Sequence, residues 1–284
     1  MHKLPVFATA GLAYQFLLRE AGAILRLSWF VLLIVTIIQY FALRAQFAGM
    51  RSAFESGKVN PLTMFSPTWQ WQIVNFGVAI LGSAIVAVAL HRVILLGDRK
   101  PGRFLYVALG KIELLFALLP IILVGPFVVA WTLIFGLFFE QVQKGSGGVL
   151  VFPLLLLWAG GIFVMVRLTP LFPITVLEGR YNFSQAWSLT RGNFWRIVGL
   201  WIVVLVPFVI VVAIIGSLTS PFGALGAGAP KNVADIFERF ESMLLLQSVL
   251  GFVWSIVGGA LGVAVLSYSY KALSGLHPDA VWTP

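Results

Sequence analysis

Residues 163–207 read FVMVRLTPLFPITVLEGRYNFSQAWSLTRGNFWRIVGLWIVVLVP. The stretch leaves one apolar run, passes two prolines and a polar elbow, and enters another apolar run. Arg167, Glu178, Arg180, Arg191 and Arg196 all fall inside it, in a chain with only 10% charged residues. Pro170 and Pro173 predict the end of a helix, because proline carries no amide proton for the next turn. Asn182 or Ser184 suits the cap of a new helix. In that helix Phe183, Ala186, Trp187 and Thr190 share a face at i, i+3, i+4, i+7, while Gln185, Ser188 and Arg191 point elsewhere. Gly192 permits the turn into the next run, and Trp195 completes the elbow. The spacing predicts a short helix in a membrane interface, Phe183 and Trp187 dipping toward acyl chains and Arg191 at phosphate level.

The rest of the chain says what the solvent is. It has 284 residues, 60% of them hydrophobic, with a mean hydropathy of +0.99. A water-soluble domain of this size cannot cover its surface with so few charges, so the expected class is integral membrane. Six apolar runs give the expected spans, at 27–43, 73–95, 112–139, 150–171, 197–218 and 242–270, within one transmembrane domain covering 1–284. The runs are continuous and too long for the ~10-residue alternating strands of a membrane barrel. The expected fold class is therefore all-α and polytopic, with short interfacial amphipathic helices. The first run is a little short of the ~20 residues a span needs, so the preceding turn is expected to contribute. Pro120 and Pro126 fall inside the third run and Pro207 inside the fifth.

Between the spans, 44–72 reads as a loop broken by Pro61 and Pro67, with Trp69 and Trp71 at headgroup level. Gln15, Arg19, Gly22 and Arg26 recur as one helical stripe. Residues 1–26 thus read as an interfacial helix with that stripe toward water, or as an extension of the first span. Nothing there resembles a cleaved signal. In the loop 219–241, Asp235, Glu238 and Arg239 suit a short surface helix. Most of the 19 lysines and arginines fall in the N-terminal segment, the second-to-third and fourth-to-fifth loops, and the tail. The positive-inside rule then places both termini in the cytoplasm. The net charge of +9 reads as attraction to the bilayer's anionic headgroups, not to nucleic acid.

The two charged elbows align with each other. Ile94, Asp98, Lys100, Leu109 and Lys111 meet Ile174, Glu178, Arg180, Leu189 and Arg191 at one constant offset. A fainter copy, Arg26 with Ser28-Trp29-Phe30, parallels Arg191 with Asn193-Phe194-Trp195. The expectation is three pseudo-repeated helical hairpins of one topology, each entered through a surface helix. The alternative is that loops on one side each collect basic residues.

Little in the sequence points to chemistry. There is no cysteine, and His2, His91 and His277 lie in separate segments, so no metal site or cofactor is expected. No G-x-S-x-G elbow or phosphate loop occurs, and no catalytic residue is assigned. Arg167 lies about one turn inside the fourth span. It either snorkels or pairs with Glu178, folded back by the prolines, or with Glu113. With His91 and Asp98 these residues form a candidate cytoplasmic-side polar cluster. His91 itself reads as a boundary residue, in contact with headgroups or in a proton relay. Gly258 with Gly262, and Ala79 with Ser83 and Ala87, form small-residue faces for close helix packing within the chain or in a homo-oligomer.

The pattern Arg167, Pro170, Pro173, Leu177-Glu178-Gly179, then Ala186, Ser188-Leu-Thr-Arg-Gly-Asn-Phe-Trp-Arg196, resembles the six-span bacterial family called the glycerophosphoryl diester phosphodiesterase membrane domain and its uncharacterised relatives. The ending SYSYKAL is similar to that family's close. The match covers roughly 163–200 and the tail. The resemblance implies a bacterial cytoplasmic (inner) membrane. The family name derives from members fused to a catalytic barrel, which this chain lacks, so no phosphodiesterase residues carry over. Three function classes stay open: a non-enzymatic organiser of lipid or membrane-protein partners, a small-solute transporter or channel, and a lipid-headgroup enzyme. The scarcity of mid-membrane polar groups, Gln39, Thr132 and Ser255, favours the first.

Overall fold

The structure is a computed structural model that describes residues 2–57, 69–99, 105–143, 151–219 and 233–277, with the backbone course alone at 136–143 and 233. The breakers Pro61 and Pro67, Lys100 of the elbow alignment, the loop around 144–150 and the Gly/Pro-rich part of the fifth-to-sixth connection lie outside the described residues. Among the described residues every element is helical: α1 (Val6–Arg19), α2 (Ala21–Glu55), α3 (Trp69–Leu96), α4 (Lys111–Gln143), α5 (Val151–Leu168), α6 (Leu171–Glu178), α7 (Phe183–Leu189), α8 (Phe194–Leu218) and α9 (Val233–Ser274).

Among the described residues six segments are long and apolar enough to cross a membrane: Ala21–Glu55, Trp69–Leu96, Lys111–Phe135, Val151–Glu178, Phe194–Leu218 and Ala234–Ser274. Their packing identifies the solvent. In α8, the most apolar of them, only 17% of an 18-residue apolar stretch is buried, and Ile202, Val206, Val209, Ile210 and Ile214 all face outward. Such a surface is stable only against lipid, where exposed leucine and valine meet acyl chains instead of water. The fold is that of a polytopic helical membrane protein.

The centre is α9, which packs on α1, α2, α3 and α8. Its fully buried Ala260, Leu261 and Ala264 meet Leu27 and Val31 of α2, Leu90 of α3 and Leu200 of α8 in one cluster. Alanines let the backbones approach closely, the packing mode available where lipid removes the hydrophobic drive between helices. A second cluster joins Leu95, Leu119, Leu168, Leu171, Ile174 and Tyr270 around the charged elbows.

Several boundaries differ from the sequence expectation. Helix α2 does not stop at 43 but runs 35 residues to Glu55. Nothing in 44–55 breaks it: Arg51 and Glu55 pair at i, i+4 with Nε–Oε1 at 2.9 Å, and the helix ends only before Gly57, at φ +67°. Similarly, the surface helix expected near 233–241 is the beginning of α9, one helix of 42 residues, braced by Asp235 and Arg239 at 3.0 Å. A helix of that length spans about 60 Å, twice the hydrocarbon thickness, so part of it stands clear of the bilayer. The end of α2 and the start of α9 support each other there. Phe47 stacks on Phe240 at 5.4 Å and Phe54 meets Phe237 at 5.6 Å. Trp69 and Trp71 open α3, both exposed.

The N-terminal stripe is also divided. The helix breaks at Glu20, so Gln15 and Arg19 lie on α1 while Gly22 and Arg26 lie on α2. Gln15, Arg19 and Gly22 are exposed, but Arg26 turns in and donates through Nη2 to the Arg99 carbonyl at 2.7 Å. The opposite face of α1 buries Thr9, Ala10, Ala13 and Phe16. Contact with α8 and α9 makes α1 a docked helix of the fold.

The two prolines divide their roles. Pro170 ends α5 and caps α6. Pro173 falls in the first turn of α6, where its missing amide proton would have had no helical partner anyway. The fourth span is therefore α5, a two-residue turn at Thr169-Pro170 and α6, not a single helix closing at 171.

Candidate functional site

Every buried polar or charged side chain among the described residues sits toward the end of the bundle that carries the elbows: Thr9, Ser28, His91, Glu113, Arg167, Thr175, Thr190, Asn193, Ser267, Ser269 and Lys271. The mid-membrane polar groups point the other way. Gln39, Thr132 and Ser255 are all exposed on the bundle's outer surface. Thr132 and Ser255 turn their hydroxyls back onto their own helices, to the Val128 and Phe252 carbonyls at 2.8 Å each.

The elbow between α6 and α8 is built from local signals. Helix α6 ends at Gly179, whose φ of +63° is left-handed and free of strain only without a Cβ. Asn182 caps α7, its Oδ1 accepting from the Gln185 amide at 3.1 Å. Gly192, at φ +75°, turns the chain into α8. Ala186 and Thr190 are fully buried, and Thr190 Oγ1 donates to the Arg167 carbonyl at 3.0 Å. Phe183 and Trp187, each 41% exposed, lie at the outer edge of that buried face. Arg191 and Trp195 are exposed. Gln185 does not point to open solvent as expected: it is half-buried, with a buried Oε1 that lacks a hydrogen-bond partner.

The five residues of the expected polar cluster separate. His91 is fully buried, not at a boundary; its Nδ1 lies 2.7 Å from Ser267 Oγ of α9 and its ring 5.6 Å from that of Phe116. Helix α3 continues past it to Leu96, which carries it inward. Glu113 belongs to Arg92, with Nη1–Oε1 at 3.1 Å, and its Oε2 accepts the Gly110 amide at 3.0 Å at the start of α4. The Arg92 contact is an ion pair without hydrogen-bond alignment, since Glu113 Oε1 has no hydrogen-bond donor. Asp98 is half-buried just after Gly97, which ends α3 at φ +69°.

Glu178 pairs with its near neighbour Arg180, with Oε2 at 3.0 Å from Nε. The expected bond from Arg167 to Glu178 is absent, and so is one to Glu113. Helix α6 explains the first: it carries Glu178 about 10 Å along the axis from the bend. What returns to Arg167 is α7. Trp187 lies beneath the guanidinium, with Cζ 4.5 Å from the ring centroid.

The two elbows share a glycine spacing, in a different register from that of the charges. The left-handed glycines Gly97 and Gly179 end α3 and α6, and the same spacing then leads to Gly110 and Gly192, just before α4 and α8. The surface helix is not repeated: 105–110 holds none among the described residues. Within the chain the small-residue faces are used only in part. Ser83 is exposed and Ala79 and Ala87 only half-buried. The close approach of α3 is at Gly82, where an added Cβ would lie 2.5 Å from Val35 Cγ2. Gly258 does receive a neighbour, the Phe208 ring at 3.1 Å from such a Cβ, whereas Gly262 has nothing within 4 Å.

Long-range ties at the same end carried no sequence signal. Asn193 Oδ1 accepts from the Leu4 amide and its Nδ2 donates to the His2 carbonyl, both at 3.0 Å. Arg99 grips the Glu20 carboxylate through two nitrogens, the shortest contact 2.7 Å. That hydrogen-bonded carboxylate raises the Arg99 pKa further above its ordinary value. Tyr181 donates to the Leu115 carbonyl at 2.7 Å, and burial raises its pKa. Among the described residues, cavities open at this end. Two flank α1, of ≈ 360 and ≈ 430 Å³, and share Leu12, Tyr268 and Lys271. A third, ≈ 800 Å³, lies between α5 and α7 and is lined by Arg167, Phe183, Ser184, Trp187, Ser188 and Arg191.

Compared with protein-family models, curated proteins and solved structures, the chain gives no match in any of the three. Fold and site together define an integral membrane protein of six apolar helices with a polar, cavity-bearing end. Among the described residues no group of three or more metal-ligating side chains is present.

Proposed function

We propose that this chain is a non-enzymatic protein of a bacterial cytoplasmic membrane, with both termini in the cytoplasm, that organises lipid or membrane-protein partners. The observation that carries this reading is the distribution of polar groups. A solute path needs polar side chains from several spans at mid-membrane, whereas Gln39, Thr132 and Ser255 face outward and the buried polar groups gather at the elbow end. Excess lysine and arginine in the elbows supports assigning that end to the cytoplasm. The elbow pattern from Arg167 to Arg196 supports kinship with the glycerophosphoryl diester phosphodiesterase membrane domain.

Spin-labelled lipids test the reading. In proteoliposomes containing phosphatidylcholine and phosphatidylglycerol, the protein is expected to immobilise labelled phosphatidylglycerol in excess. Stopped-flow solute exchange should match that of protein-free liposomes. Equal immobilisation of both lipids, or solute exchange above that background, would count against it.

A further inference from the structure

Arg167 is the unusual cation of this molecule. It is only 9% exposed, and its Nε is buried without a hydrogen-bond partner. Among the described residues no carboxylate stands within ion-pair distance of it, and no hydrogen bond reaches its guanidinium. Buried charges are normally paired, because the low local dielectric makes an isolated one unfavourable. The Trp187 ring supplies a partial counter-charge on one face, but it accepts none of the in-plane N–H groups. Those groups are donors in a fork whose shape matches two oxygens of a tetrahedral oxyanion.

The surroundings complete such a site. The ≈ 800 Å³ cleft between α5 and α7 is lined by the buried Arg167 and by the exposed Arg191, Ser184 and Ser188. The described residues lining it include no carboxylate, so its charge is positive. Phe163 meets Trp187 edge-on at 5.9 Å, and Phe183 and Trp187 leave apolar surface beside the cleft. That combination, a buried guanidinium with an adjoining aromatic edge, suits a charged head attached to an apolar body.

The geometry points to a binding site for a phosphate-bearing anion between α5 and α7, in which Arg167 holds the phosphate oxygens and Arg191 adds a second cation. This deepens the organising role proposed above by naming a ligand class, and it rests on that role for its setting in the membrane. A phospholipid headgroup and free phosphate share this chemistry.

The test uses the purified full chain in detergent, with thermal midpoint as the readout. It is titrated separately with dioctanoyl phosphatidylglycerol, with dioctanoylglycerol, which has the same chains and no phosphate, and with inorganic phosphate. Phosphatidylglycerol should stabilise the protein and dioctanoylglycerol should not. Arg167→Gln should weaken apparent affinity about tenfold, the loss of roughly one charge-assisted hydrogen bond. Arg167→Lys should lose less, and Arg191→Gln about threefold as a more exposed contact. If inorganic phosphate binds with the same dependence on Arg167, the site takes the free anion; if only the lipid binds, it takes the headgroup. Equal stabilisation by dioctanoylglycerol overturns the proposal, as does wild-type affinity in Arg167→Gln. Should that variant fail to fold, wild-type affinity in both Arg167→Lys and Arg191→Gln overturns it instead. The wider role is separable: if labelled phosphatidylglycerol stays preferentially immobilised in liposomes while Arg167→Gln binds normally, the site is wrong and the organising role stands.

Discussion

The ion pairs at the elbow end make a quantitative test of which charges are coupled. Arg92 and Glu113 join α3 to α4, with side chains 21% and 4% exposed and a closest contact of 3.1 Å. Glu113→Gln removes the negative charge but keeps the shape, and Arg92→Gln removes the positive charge with a shorter side chain. Breaking a fully buried pair costs about 3–5 kcal/mol, and an exposed one about 0–1. Here the carboxylate is nearly dry while the guanidinium reaches the surface, so each single change should cost about 2–3 kcal/mol. Part of the Glu113 loss is shared with the Gly110 amide, whose bond at 3.0 Å anchors the start of α4. The double variant should recover about 1–2 kcal/mol, since it strands neither charge. Unfolding in mixed micelles with increasing denaturing detergent gives the four free energies of the cycle. The same cycle on Arg167 and Glu178 should be additive within about 0.5 kcal/mol, because Glu178 bonds Arg180 and Arg167 faces Trp187. Additive losses at Arg92 and Glu113, or coupling above that limit at Arg167 and Glu178, would refute the arrangement of charges described here.

Other expectations follow from single positions. Gly82→Leu should destabilise by about 1–3 kcal/mol or more in the same assay, because even a Cβ would lie 2.5 Å from Val35 Cγ2, on a side chain stiffened by β-branching. Gly179→Ala should cost about 1 kcal/mol, the strain of a Cβ at φ +63°; unchanged stability would show that α6 ends differently. Spin labels at Phe183 and Trp187 should report apolar depth and labels at Ser184 and Ser188 water, with equal accessibility at all four counting against an interfacial α7. Reporters inserted after residues 60, 145 and 225 should behave as periplasmic and one at the C-terminus as cytoplasmic, and a periplasmic C-terminus would sink the orientation.

The spans were legible because lipid imposes one strong rule: a backbone without water must satisfy its own hydrogen bonds over a full apolar helix. That rule located all six but not their ends. Beyond the hydrocarbon, hydropathy falls while helix propensity persists, so 44–55 looked like loop and 233–241 like a separate helix. What extends them is mutual support, Phe47 on Phe240 and Phe54 against Phe237, between segments far apart in sequence. Local chemistry did better at the elbow. Pro170, Asn182 and Gly192 each act on the backbone within a few residues, and each sits at the helix boundary that its type predicts.

The charges were harder to read for a related reason. A charge in a sparse sequence demands a partner, but the sequence offers candidates without distances. Glu178 looked available to Arg167 because two prolines suggested that the chain folds straight back. Pro173 instead fits within the first turn of α6, and that short helix takes Glu178 away. His91 looked like a boundary residue because Arg92 follows it, yet adjacent positions on a helix point about 100° apart. One side chain reaches inward to Ser267 while its neighbour reaches across to Glu113. The same geometry makes Arg167 informative. Prolines, caps and the left-handed glycine all act to bring Trp187 across it, and none brings a carboxylate. A fold that fixes a cation this firmly, while giving Arg92, Arg99 and Arg180 acidic partners within the chain, leaves its in-plane donors for an anion from outside the chain.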